Sequence, residues 1–362
     1  MPTSDSDAAY EVVRLASRAV LSDERARRLR EAAERVESWK DVLGVGAYHR
    51  ALPLLYGHVR EWAPDDVVAA LRDYAQRRAV DVLFLTSEMA RIARAFTEAG
   101  VPFLTFKGPS LAEAYGGTAR RPFVDNDLLI APGDYQAAHG VLSGIGFGKK
   151  EDRSHLQQLG YLRIYGEDTF TRTVGPLLSA VDLHTRLVPV GYPYHGPFDA
   201  LYSRSRTLSL TGVDVPTFSW GDLFLALAVN ALKDQWNRLR LATDLAETAP
   251  FVLDWAALLE RAQRTRCLRA LHVGVLVAEE AVGGEFPEPV SASARRDARA
   301  IRLARGVVDR FPTAHAEPVM SGAARMRFTL RTPDGPRGQA QYLAYVGLRR
   351  VLEPVVAGDK EE

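Results

Sequence analysis

The stretch Phe123-Val-Asp-Asn-Asp-Leu-Leu-Ile130 sets two aspartates, Asp125 and Asp127, inside an apolar run. Read as a strand, it sends residues i and i+2 to the same face, so the two carboxylates stand side by side. Adjacent carboxylates repel, and burying them without a partner is costly. A buried strand carrying both calls for a cation, and oxygen ligands suit Mg2+ or Mn2+. The bland reading of Asp-x-Asp is a strand end facing water, so context must separate the two.

Upstream, Val101-Pro-Phe-Leu-Thr-Phe106 reads as another strand, ending at Lys107-Gly108-Pro109. A turn at Gly108 can offer backbone N–H groups to phosphate oxygens, and Lys107 adds a point charge. Ser110–Tyr115 reads as a short helix stopped by Gly116-Gly117, and Pro132-Gly133-Asp134 opens a helix that closes at Gly146. Tyr161–Tyr165, Thr169–Thr173 and Leu177–Leu187 read as strands, the last two as a hairpin around Gly175-Pro176. On the final strand Asp182 and His184 share a face. Three acidic residues on neighbouring strands behind a glycine turn suit two-metal phosphoryl transfer.

Helical patterns lie on both sides. Ser22 reads as an N-cap, Val67–Ala79 as one helix, and Leu85–Ala99 as the next, with Leu85, Met89, Ile92 and Phe96 at helical spacing. After Trp220 the pattern predicts helices over Gly221–Lys233, Leu239–Ala249, Trp255–Thr265, Leu268–Val282, Ala292–Phe311 and Gln339–Val356. The fold class is α+β: a small mixed sheet with helices, flanked by N- and C-terminal helical regions. The expected division is 1–100 helical, 101–215 sheet core, and 216–362 helical.

The 362 residues are 47% hydrophobic and 25% charged, with a net charge of +1, an ordinary globular mix with no global field toward nucleic acid or membrane. The single cysteine, Cys267, excludes an internal disulfide and a cysteine-rich zinc site. The polar start Met-Pro-Thr-Ser-Asp is unlike a signal peptide, and no apolar run is long enough to span a bilayer, so the cytoplasm is the expected compartment. Walker, Gly-x-Gly-x-x-Gly, His-Glu-x-x-His and Gly-x-Ser-x-Gly motifs are absent.

Lys107-Gly108, Tyr115-Gly116, Arg121-Pro122 and Asp125–Leu129, followed by Val181-Asp182-Leu183-His184, together resemble the signature of an uncharacterised bacterial nucleotidyltransferase family within the polymerase-β-like superfamily. Asn230–Asp244, with Trp236 and Arg238, resembles its helical continuation. The chain departs from the pattern at Asn126, where the family has an apolar residue, and at Asn230, where a histidine is expected. Gly108-Pro109-Ser110 also replaces the superfamily's Gly-Ser turn.

The resemblance implies that Asp125, Asp127 and Asp182 bind the metals, with Asp182 helping to deprotonate the acceptor. It also implies that Lys107, Gly108, Ser110 and Arg121 contact the nucleotide. His184, placed with the nucleotide contacts, would assist Asp182 as a base or orient it. Apart from the resemblance, Tyr192, Tyr194 and His195 form an aromatic, Gly/Pro-rich loop suited either to stacking a base or to packing on the helices. The expected reaction moves an NMP group from an NTP, with ATP as default donor, to an acceptor with release of pyrophosphate. A small-molecule acceptor is favoured over nucleic acid or protein. The alternatives are a catalytically silent binding or regulatory module on the same fold and a metal-dependent phosphodiesterase.

Overall fold

The computed structural model describes residues 4–151, 153–194, 196–316, 320 and 322–356. Seven short strands form a single sheet: β1 (Leu104–Thr105), β2 (Asn126–Leu129), β3 (Gly148–Lys149), β4 (Glu167–Val174), β5 (Leu177–His184), β6 (Arg206–Leu210) and β7 (Val213–Thr217). Their order is β3-β4-β5-β2-β1-β7-β6. The sheet is mixed: β2 runs parallel to β5 and antiparallel to β1, while β1 runs parallel to β7. With helices packed around it, the architecture is α+β.

One face of the sheet is sealed. Leu128, Val181, Leu183 and Phe170 pack there against Met89, Ile92 and Phe96 of the helix Asp65–Glu98, and against Leu142 of Tyr135–Gly144. The opposite face looks toward a larger helical core, in which N-terminal residues such as Val12 and Leu55 pack with Phe224, Val273 and Phe311 from the C-terminal half. Arg18 to Glu247 at 2.6 Å, and the Leu239 amide donating to His49 Nδ1 at 3.0 Å, tie the two ends together.

Several elements differ from the pattern-based expectation, each for a local reason. The helix Asp65–Glu98 is continuous where two helices were expected, because no glycine or proline lies between Ala79 and Leu85 to break it. Tyr161–Tyr165 is the last part of the helix His155–Tyr165, not a strand. Ser154 and Gln157 form a capping box at its start, and Gly166 closes it in the left-handed region at φ 74°. The expected helix Ala292–Phe311 is two helices, Glu288–Arg296 and Ala298–Val308. They are separated at Asp297, whose carboxylate caps the second by accepting from the Arg299 and Ala300 amides. β1, β2 and β5 are shorter than their sequence patterns predict, and the hairpin β6–β7 forms in a stretch without a predicted element.

Phe96 is fully buried and meets Phe103 edge-on at 5.2 Å. Phe96→Ala is expected to destabilise the protein by ~3–5 kcal/mol, read from urea unfolding. A loss below ~1 kcal/mol would place the sealed face elsewhere.

Candidate active site

Register decides what the open face of the sheet displays. Asp127 on β2 lies beside Asp182 on β5, and on the antiparallel side Thr169 faces Asp182 while Glu167 faces His184. Paired residues point the same way, as do residues two apart on one strand. Asp127, Asp182, His184, Thr169 and Glu167 therefore share the face that the core does not seal. Asn126 turns to the other side, where its amide donates to the Leu85 carbonyl at 3.1 Å. The departure at position 126 thus anchors β2 to the long helix and leaves the aspartates facing the cleft.

Ligand atoms of Asp127, Asp182 and His184 lie within 4.8 Å of one another. Asp127 Oδ1 accepts from Lys107 Nζ at 3.2 Å, and His184 Nε2 lies at the same distance from it. Thr169 donates to Asp182 at 2.6 Å. The other ring nitrogen of His184 faces the Glu167 carboxylate at 3.5 Å, so His184 is placed between Asp127 and Glu167 and its close contact is not with Asp182. Burial pushes the Asp127 carboxyl up, but Lys107 and His184 outweigh it and hold it at about 2. Asp125, one residue ahead of β2, lines the same cleft outside the tight group. Burial, then the charges of Asp127 and Asp182, push its carboxyl up to about 6.

These groups open into a cavity of about 590 Å3, within the usual range for a ligand site. Its helical wall carries Arg50, Arg238 and Arg240 beside Asp234 and Asp244. None of the three forms a salt bridge or a side-chain hydrogen bond among the described residues, and burial followed by repulsion from Arg121 holds Arg240 down at about 9. Backbone strain accompanies this wall. Gln235 and Trp236 have φ of 57° and 52°, turning the chain sharply after the helix Trp220–Lys233 so that Arg238 and Arg240 meet the cleft. Arg50 and Lys107 also have positive φ, 56° and 63°. Such conformations persist only where surrounding packing enforces them, and they gather at functional sites.

The remaining expected contacts fall differently. Gly108 lines the cleft. Ser110 is fully buried within the short helix Gly108–Ala112, its hydroxyl has no partner, and it does not line the cleft. Arg121 is buried and committed: its Nε and Nη2 donate to Asp244 at 2.7 and 2.9 Å, and the Tyr115 hydroxyl donates to the same carboxylate at 2.6 Å. The Tyr-Gly and Arg-Pro elements thus bolt the glycine turn to the helix Arg240–Thr248. Tyr192 and Tyr194 are buried, and His195 lies outside the described residues. Cys267 is buried and its thiol is pushed up to about 12, which makes it a poor nucleophile. Glu167, Arg50 and Arg240 escaped the sequence reading. Only strand pairing reveals the first, and the arginines come from segments remote in sequence, Arg50 from the turn after the helix Trp39–Tyr48 and Arg240 from the start of the helix Arg240–Thr248.

A family model described as an uncharacterised nucleotidyltransferase matches residues 35–283. The chain belongs to this nucleotidyltransferase family. No curated protein and no solved structure matches it. The matched span of the transferase includes the glycine turn, all three aspartates, and the arginine wall. No helix among the described residues is long and apolar enough to cross a membrane.

The Arg121–Asp244 pair yields a test. Burial alone would raise the Asp244 carboxyl, but Arg121 outweighs it and holds it below the usual range. Arg121→Met strands a buried carboxylate and is expected to cost the transferase ~3–5 kcal/mol, with much of that regained in Arg121→Met/Asp244→Leu. Because the folded value is depressed, the pair's contribution is full above about pH 4 and fades as pH falls through the lower folded value. The double variant should therefore show a flatter acid limb in a stability–pH series. Equal losses in single and double variants would rule out the pair as a coupled unit.

Proposed function

We propose that this protein transfers an NMP group from an NTP, ATP being the default donor, to a small-molecule acceptor and releases pyrophosphate. The observation that carries this is a group of carboxylates and a set of unpaired arginines lining one cleft, in a member of a nucleotidyltransferase family. Asp125, Asp127 and Asp182 would hold Mg2+ or Mn2+. The fit rests on their crowding: Asp127 and Asp182 are side by side, one ammonium reaches only Asp127, and Asp182 receives a single hydroxyl. A divalent ion bound there would neutralise phosphate oxygens and make an acceptor oxygen more nucleophilic.

The chain's own groups do the rest. Lys107 and the Gly108 turn, with Arg50, Arg238 and Arg240 opposite, bind and align the triphosphate, the planar guanidinium groups suiting phosphate geometry. The acceptor hydroxyl attacks the α-phosphorus in line. A new P–O bond forms, the bond to the bridging oxygen breaks, pyrophosphate leaves, and the proton passes to a carboxylate on the acceptor side, Asp182 or Glu167. His184 orients Asp127 on one side and Glu167 on the other. Positioning and electrostatics supply most of the rate in this class of reaction.

Calorimetric titration with ATP, GTP, CTP and UTP in Mg2+ or Mn2+ tests the reading. One nucleotide is expected to bind in a metal-dependent way and to lose binding in Asp125→Asn/Asp127→Asn. Arg240→Gln should weaken it by about tenfold to a hundredfold, the range expected for charged hydrogen bonds to phosphate. Equal binding by wild type and the aspartate double variant would sink the assignment.

A further inference from the structure

The cleft does not end at the sheet. Glu167 and Lys233 also line a second cavity of about 430 Å3, so the two spaces meet at those side chains. The far walls are aromatic. Tyr165 comes from the helix His155–Tyr165, Tyr192 from the segment after β5, and Tyr342 and Tyr345 from the helix Pro336–Val356. Tyr192 meets Tyr342 and Tyr345 edge-on at 5.6 and 6.2 Å.

This wall is built, with specific ties holding the last helix in place. Gln341 donates to the Val190 carbonyl at 2.5 Å, and the Tyr165 hydroxyl donates to Glu353 at 3.2 Å. Gly191 lets the Tyr345 ring lie against bare backbone, since a Cβ there would fall 2.4 Å from the ring. Charge in the cavity is lopsided. Arg349 is paired with Glu353 at 2.7 Å, but Arg325 and Arg350 line the space with no ion pair among the described residues. Arg325, Tyr342, Tyr345 and Arg350 all lie beyond the family match, which ends at residue 283.

We propose that this second cavity seats the acceptor, and that it selects an aromatic anion. A ring lodges among Tyr165, Tyr192 and Tyr342, and an acidic substituent meets Arg325 and Arg350. The nucleophilic oxygen then points past Glu167 toward the α-phosphorus, and Glu167 takes its proton. Aromatic side chains grip a planar ring by offset or edge-on packing, and free guanidinium groups choose an anionic ring over a neutral one. The acceptor role rests on the nucleotidyl-transfer reading of the neighbouring cleft. The anion selectivity rests on the cavity itself.

The probe is anilinonaphthalene sulfonate, an aromatic anion whose fluorescence rises on leaving water. Titration of the full chain is expected to show saturable binding at one site, persisting with ATP and Mg2+ present. Arg325→Glu/Arg350→Glu should weaken the probe by about tenfold or more. Both arginines are exposed, so the charge reversal leaves the core untouched, and circular dichroism checks the fold. Absence of saturable binding, or binding indifferent to the charge reversal, overturns the proposal. Competitive displacement by ATP with Mg2+ also overturns it, assigning the tyrosines to the nucleobase. Calorimetry with ATP and Mg2+ on the same samples separates the two readings. Nucleotide binding without probe binding defeats this inference alone, whereas probe binding without nucleotide binding defeats the acceptor role together with the reading of the cleft.

Discussion

Repulsion between Asp127 and Asp182 is the constraint around which the rest of the site is arranged. Parallel pairing of β2 with β5 sets the two carboxylates side by side on a half-enclosed face, with Asp125 close enough to feel both. Hydrophobic burial holds them there, because Leu128, Val181 and Leu183 on the same strands are sealed against the long helix. Neither carboxylate can turn away without drawing those side chains out of the core. Lys107 relieves one oxygen of Asp127, and its positive φ is the local cost of bringing the ammonium to that point. Like charges fixed in place by a rigid sheet favour a divalent cation over rearrangement.

The same logic, with opposite sign, shapes the facing wall. Arg121 takes Asp244 in a two-bond contact, and Arg240 lies close enough to feel the same carboxylate. The other guanidinium groups have no such partner, and burial, followed by repulsion from neighbouring arginines, lowers Arg50 and Arg240. A cleft with surplus anions on one side and surplus cations on the other is complementary to a polyphosphate carrying a metal ion. Stability and function divide here: the buried pair joins the glycine turn to the helices, and the unpaired arginines remain open to a ligand.

Legibility in the sequence followed the range of the physics. The α+β class, the helical pattern over Leu85–Ala99, the β4–β5 hairpin and the helix Leu268–Val282 all come from local periodicity and turn chemistry. The structure has them, the helical pattern inside the longer helix that ends at Glu98. Asp127, Asp182 and His184 were readable because alternation within strands fixes their face. Arg121 was not, since its partner Asp244 lies 123 positions further on and nothing local marks the pairing. Ser110 misled for a related reason: its place after a glycine turn matches a phosphate contact, yet the short helix rolls its hydroxyl inward. Tyr161–Tyr165 is β-favouring by composition, but the cap at Ser154 and the stop at Gly166 outweigh that preference.

The division of the cleft has a further consequence. A transferase must bind two substrates without letting water replace the second, so acceptor and nucleotide need distinct seats that meet at the reacting phosphorus. Glu167 stands where the two cavities join, and His184 links it to Asp127. In the proposed reaction, a carboxylate at that junction would sense the metal side through His184 and the acceptor side directly. The walls of the nucleotide side come from residues within the family match, whereas much of the second wall comes from the final helix, beyond it. On the proposed acceptor role, changes in the last helix would retune selectivity while the carboxylates on β2 and β5 stay in place.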